Sequence, residues 1–304
     1  MAGKRIGIAL GSGSARGWSH IGVIRSLQEA GIPIDIACGS SIGALVAGAF
    51  AANFLDTLDR WARELSWTDL LRFMDLRLPR SGIVEGEKIT GYFKQNLSDA
   101  NIEDLAIPFA AVATELNSGR EIWLREGSLI DAIRASVSLP GIFTPYQAGD
   151  QWLVDGGLVN PVPVSLCRAM GADIVIAVNL NSDIMGKSEI RRNSNNNRTL
   201  QKKVASFLNR NLPQANLKAF KLFDPSEAQR GPNLFEIITT SVYITQDLIT
   251  KQRLQVDPPD ILITPRLAQI GLLDFNRADE AVEEGWRAMD MMIPSVASLL
   301  KSSP

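Results

Sequence analysis

The pentapeptide Gly39-Ser40-Ser41-Ile42-Gly43 sets a serine two residues from a glycine on either side. It follows the short apolar run IPIDIAC and precedes the apolar stretch IGALVAGAF, so the serine falls on a turn from strand to helix. A serine so placed projects its hydroxyl from the sheet edge, the flanking glycines tolerate the crowded backbone, and the helix N-terminus offers amides to a developing anion. Ser41 is therefore the candidate nucleophile. The same residues also suit a small-residue turn in which Ser41 serves only as a helix N-cap.

A serine nucleophile needs a base, and the chain holds one histidine in 304 residues. A single imidazole cannot build a multi-histidine metal site. His20 precedes the serine, whereas the nucleophile-elbow order places the histidine after it, so a Ser-His-Asp triad is not expected. His20 reads instead as a packing or hydrogen-bonding residue near the first loop. A carboxylate can take the proton if it is close to the hydroxyl and shielded from water. Asp155 in LVDGG ends a short strand and is followed by Gly156 and Gly157, which let the backbone turn steeply. An Asp-Gly turn joining two strands is the alternative reading.

The third feature is the loop Gly11-Ser12-Gly13-Ser14-Ala15-Arg16-Gly17, again between strand and helix. Successive amides pointing into one hollow make an anion cradle, which in an esterase is the oxyanion hole. A dinucleotide-binding loop is the rival, but Asp35 does not sit at the end of the second strand, where a ribose-binding acid belongs.

The elements around these motifs alternate. Arg5 to Leu10 suits a buried strand, Ile21, Ile24 and Leu27 mark a helix with Gly31 as its C-terminal glycine, and a second strand, glycine loop and helix follow. This is the grammar of an α/β fold with a mostly parallel sheet. Leu55 to Leu65 continues a helical period, and Gly86 to Leu97 suits a surface helix. IPFAAVATEL, EIWL, QWLVD and ADIVIAVNL suit strands, and SLIDAIRASV suits a helix. From about 181 to 231 the composition turns polar and suits a flexible insertion. Leu234, Ile238, Val242 and Leu248 or Ile249 carry helical spacing that suggests a core-facing helix, a face toward lipid or a partner being the other reading, before a last strand, DILITP, and a last helix, ADEAVEEGWRAM.

Composition sets limits. Hydrophobic residues at 45% and charged residues at 21% are enough for a real core, and a formal charge of −2 argues against a nucleic-acid partner. Cys38 and Cys167 are too few for a disulfide scaffold and fit a reducing, cytoplasmic setting. The N-terminus carries no signal-peptide pattern, and the longest apolar run, Ile42 to Leu55, is too short to span a bilayer. From Lys187 to Lys203 six basic residues stand against one acidic, a charge that would favour peripheral contact with an anionic inner-membrane surface; a solvated loop is the other reading.

Together the three motifs resemble the patatin-like phospholipase family, in particular smaller bacterial members related to the esterase domain of neuropathy target esterase. The likeness runs from Arg5 through ADIVIAVNL, includes ASVSLPGIFTP, and returns in PDILITPRLAQIGLLDF. It implies one three-layer α/β/α acyl-hydrolase domain over residues 1–304, acting on acyl esters or lipids without metal or cofactor. Ser41 would be the nucleophile, Asp155 the base, and Gly11, Ser12, Gly13 and Arg16 the oxyanion loop, with Gly39, Gly43, Gly156 and Gly157 as motif glycines. Many members carry three consecutive glycines in that loop, where this chain has Ser12 and Ser14 around Gly13. A non-catalytic regulator on the same fold and a nucleotide-binding protein are the competing classes, and oligomeric state is left open.

Overall fold

The computed structural model describes residues 4–66, 100–182 and 234–301. The expected helix at Gly86–Leu97, the basic run Lys187–Lys203 and nearly all of the polar 181–231 segment lie outside the described residues. The central sheet has eight strands: β1 (Ile6–Leu10), β2 (Ile36–Ser40), β3 (Phe109–Glu115), β4 (Glu121–Leu124), β5 (Tyr146–Ala148), β6 (Gln151–Asp155), β7 (Ile174–Val178) and β8 (Ile261–Ile263). Bonded neighbours run β5-β6-β3-β2-β1-β7-β8, with β4 also on β3. The pairs β3-β2, β2-β1, β1-β7 and β7-β8 are parallel. The strands β4, β5 and β6 add antiparallel pairing at one end.

The central strands are buried along their whole length, as expected of parallel strands covered on both faces. Their side chains alternate between two cores. Ile6, Ile8 and Leu10 of β1 join one cluster with residues of α1 (Ser19–Glu29), α2 (Ile42–Ala51), α3 (Leu55–Glu64) and α4 (Leu129–Ser136). Ala9, Ile36 and Cys38 join the other with Val164, Leu166 and Cys167 of α5 (Val164–Ala169), against which Leu254 of α6 (Leu234–Val256) packs. The result is helix, sheet, helix. On the first face lie also α7 (Ala278–Asp290) and α8 (Ile293–Lys301), through Val282, Met289 and Val296.

One register detail positions the site. Val112 of β3 pairs with Ser40 of β2 on one edge and with Trp123 of β4 on the other. Ala113, the next residue, pairs with Ile122 of β4 and with Asp155 of β6. Because β4 holds the far edge at both positions, β2 and β6 share the near edge of β3 and meet there end to end. Ser40 and Asp155 thus face successive residues of one strand.

Helices α1 and α7 approach so closely that each needs a glycine at the contact. A Cβ on Gly22 would lie 1.9 Å from the Val282 carbonyl oxygen, and one on Gly285 would lie 1.9 Å from that of Ser19. In an exposed helix interior, exchanging glycine for alanine stabilises by about 1 kcal/mol. Here the sign reverses: Gly285→Ala is expected to lower stability by about 1–3 kcal/mol through overpacking, read as a lower urea midpoint with unchanged slope.

Candidate active site

The turn from β2 into α2 is built from mutual close approaches. A Cβ on Gly39 would lie 2.3 Å from the Ala44 nitrogen, and one on Gly43 would lie 2.1 Å from the Leu10 carbonyl oxygen. Between them Ser41 adopts φ 57°, ψ −128°, a conformation that costs a non-glycine residue of order 1–3 kcal/mol. Neighbouring bonds hold it there: the Ser41 amide donates to Ser136 Oγ at 2.9 Å, and Ser136 Oγ donates to the Val112 carbonyl at 2.6 Å. Ser41 also stands at the N-cap of α2, yet its side chain makes no capping bond to the helix. The hydroxyl donates instead to Asp155 Oδ2, at 2.5 Å.

Asp155 is fully buried at the end of β6. Its Oδ1 accepts the Gly157 amide at 2.8 Å, its own amide donates to the Ser138 carbonyl at 3.0 Å, and its carbonyl accepts Thr114 Oγ1 at 2.8 Å. The turn that follows is a 3-10 turn over Gly156–Leu158, not a strand-joining hairpin. Gly156 is required because a Cβ there would lie 2.1 Å from the Val112 carbonyl oxygen. Burial raises the Asp155 carboxyl from its ordinary 3.8 to about 6, opposed by the bonds from Ser41 and Gly157, which favour the anion.

The first glycine loop lies against the same place: a Cβ on Gly157 would meet that of Ser12 at 2.9 Å. Two amides named in the expected oxyanion loop are already engaged. Gly11 donates to the Val178 carbonyl at 3.1 Å and Ser12 to that of Pro161 at 2.8 Å. That corrects their role from anion donors to loop anchors. Among the described residues, the Gly13 and Ser14 amides donate to no backbone carbonyl. Arg16 is buried; its Nε donates to the Gly13 carbonyl at 3.2 Å and its guanidinium stacks 4.7 Å from the centre of the Tyr243 ring, so it holds the loop. His20 Nε2 lies 2.8 Å from the Gly11 carbonyl, to which it donates. Burial outweighs that bond and lowers the imidazole to about 4, leaving it neutral at pH 7. The loop glycines face the chain's own atoms, with a Cβ on Gly13 only 2.7 Å from the Leu180 side chain.

Comparison with known proteins matches residues 8–168 to the family model described as patatin-like phospholipase. The chain belongs to the patatin-like phospholipase family. An NTE family protein of Mycobacterium tuberculosis is 32% identical over 92% of this chain and 89% of its own length. The lysophospholipase NTE1 of Pyricularia oryzae is 29% identical over 94% of this chain, and that of Aspergillus fumigatus 27% over the same share. The chain spans 18% of the length of each fungal protein. The VipD structure from Legionella pneumophila, at 12% identity, superposes over 96% of this chain and 67% of its own with a TM-score of 0.49.

In this family member the long helix α6 follows its expected facing only in part, with Val242 and Ile249 half-buried. Ile238 and Leu248 are exposed at 38% and 55%, while Tyr243, Gln246, Asp247 and Thr250 are buried. The polar face is the one that packs beside the first glycine loop. Gln246 Oε1 accepts from Ser12 Oγ at 3.3 Å and from Asn181 Nδ2 at 3.2 Å. Sequence reasoning missed Gln246, Ser136 and Thr114. For Gln246 a signal existed, since Gln246-Asp247 sets two strongly polar side chains in mid-helix three residues after Tyr243. Ser136 and Thr114 carry none, because only their neighbours in space give them a task. Among the described residues no helix is long and apolar enough to cross a membrane.

The raised Asp155 value fixes the sign of a pH effect. The folded protein binds this proton more tightly than the unfolded chain, so the contribution of Asp155 to stability falls as pH rises from about 4 to about 6 and stays at its deficit above that. A difference of that size corresponds to roughly 3 kcal/mol, an upper figure. Asp155→Asn is therefore expected to unfold at higher urea than wild type at pH 8, by about 1–3 kcal/mol, with the gap closing by pH 4.

Proposed function

We propose that the chain is a serine acyl hydrolase of lipid esters, of phospholipase A or lysophospholipase type, working through a Ser41–Asp155 dyad. The observation that carries this is the 2.5 Å bond from Ser41 Oγ to a buried carboxylate with no imidazole beside it. A carboxyl held near 6 is ionised at neutral pH yet far more basic than a solvated aspartate, as proton removal from a hydroxyl needs.

Ser41 Oγ attacks the ester carbonyl carbon while Asp155 Oδ2 takes its proton. The carbonyl oxygen becomes an anion, for which the uncommitted amides of Gly13 and Ser14 are the donors; one such bond stabilises the transition state by roughly 3–4 kcal/mol. The intermediate collapses, the alkoxide leaves with the proton from Asp155, and the acyl group stays on Ser41. Water then attacks the acyl-enzyme and gives its proton to Asp155. Collapse releases the free acid, and the proton returns to Ser41. Strain at Ser41 and the bond to Ser136 hold the hydroxyl ready, so little reorganisation is needed. Family membership and the name lysophospholipase on fungal relatives favour a lipid acyl ester over a small soluble one.

Ser41→Ala and Asp155→Asn are each expected to cut hydrolysis of p-nitrophenyl butyrate and of lysophosphatidylcholine by about 10³-fold or more, with circular dichroism unchanged. A fluorophosphonate probe should label wild type and not Ser41→Ala. Activity within tenfold of wild type in either variant would refute the dyad. The rate of wild type should rise with pH through about 6 and level off, as the base ionises.

A further inference from the structure

Gln246 has one end occupied and the other free. Its residue is 3% exposed, on the inward face of α6. Oε1 takes two donors, Ser12 Oγ and Asn181 Nδ2, which fills both lone pairs and fixes the plane of the amide. Nε2, at the other end of the amide, has no acceptor among the described residues, and it is not sealed from solvent as a fully buried orphan would be. A methyl group on Gly157 would lie 2.5 Å from Gln246 Nε2 and 2.9 Å from Asp155 Oδ1. No side chain fits at Gly157, because the amide donor and the base crowd the same α-carbon from two sides.

Resting on the hydrolase reading above, we propose that Gln246 is a substrate-contacting residue whose Nε2 donates a hydrogen bond to an ester oxygen of the acyl substrate bound at the Ser41–Asp155 pair. Ester oxygens accept and never donate, which matches a group offering N–H alone. Asp155 cannot bind that oxygen, because as an anion it too only accepts. The two donors on Oε1 then have a purpose beyond packing: they keep the carbonyl end of the amide turned away from the substrate.

The test separates the donor from the latch. Gln246→Glu keeps an acceptor for Ser12 and Asn181 and loses the N–H. Gln246→Met keeps the length and loses both, and Asn181→Leu loosens only the Oε1 side. These are assayed beside wild type and Ser41→Ala on p-nitrophenyl butyrate and lysophosphatidylcholine, with thermal melts. We expect Gln246→Glu and Gln246→Met to lose about 10- to 100-fold in kcat/KM, mostly in kcat, while Asn181→Leu stays within about threefold. The acid limb of Gln246→Glu should also move to higher pH, because a second carboxylate beside Asp155 disfavours its ionisation. Wild-type kcat/KM in folded Gln246→Glu overturns the proposal. If that variant does not fold, an Asn181→Leu loss as large as that of Gln246→Met overturns it. Wild type as inactive as Ser41→Ala defeats the hydrolase reading and this proposal with it, whereas active wild type with full-rate Gln246→Glu defeats the Gln246 assignment alone.

Discussion

A single contact between a hydroxyl and a buried carboxylate governs this site, and most of its surroundings answer to it. A carboxylate taken out of water is unstable unless bonded, and Asp155 has just two side-chain partners, the Ser41 hydroxyl and the Gly157 amide. More partners would make it a quiet structural anion; fewer would leave it protonated at neutral pH. The surroundings hold the balance between these, with Ser138 and Thr114 fixing the backbone of Asp155 instead of its carboxyl oxygens. The histidine of the chain is kept apart from this proton, neutral and bonded to the Gly11 carbonyl.

Much of this was legible in the sequence where a residue's neighbours in the chain determine its role. Gly39, Gly43 and Gly156 announce crowding that any Cβ would violate, and the crowding is there. Alternating strands and helices gave the layered α/β architecture, because apolar runs bounded by glycines have few other ways to be buried. The oxyanion loop was legible as a loop but not in its inner bookkeeping: that Gly11 and Ser12 spend their amides on Val178 and Pro161 depends on strands far along the chain.

Helix α6 shows where hydrophobic periodicity misleads. A stripe of Ile and Leu at helical spacing ordinarily faces the core, yet here the tyrosine, glutamine, aspartate and threonine go inward. Gln246 accepts from Ser12 and Asn181 in the polar loops beneath it, and Asp247 pairs with Lys251 one turn along the same helix. A helix packed on polar loops follows the chemistry of those loops, so its polar residues can be the buried ones, and no count of apolar residues along α6 reveals it.

The end-to-end meeting of β2 and β6 on one edge of β3 makes that strand the ruler of the active site. Ser40, beside the proposed nucleophile, and Asp155, the proposed base, are spaced by the pleat of a third segment that contributes neither, at about 3.3 Å per residue. Lengthening or shortening β3 by one residue between Val112 and Ala113 would both change the gap and turn one carrier to the opposite side. An insertion inside this interior strand would therefore act on the spacing of Ser40 and Asp155 directly, whereas a longer loop outside β3 leaves that register untouched.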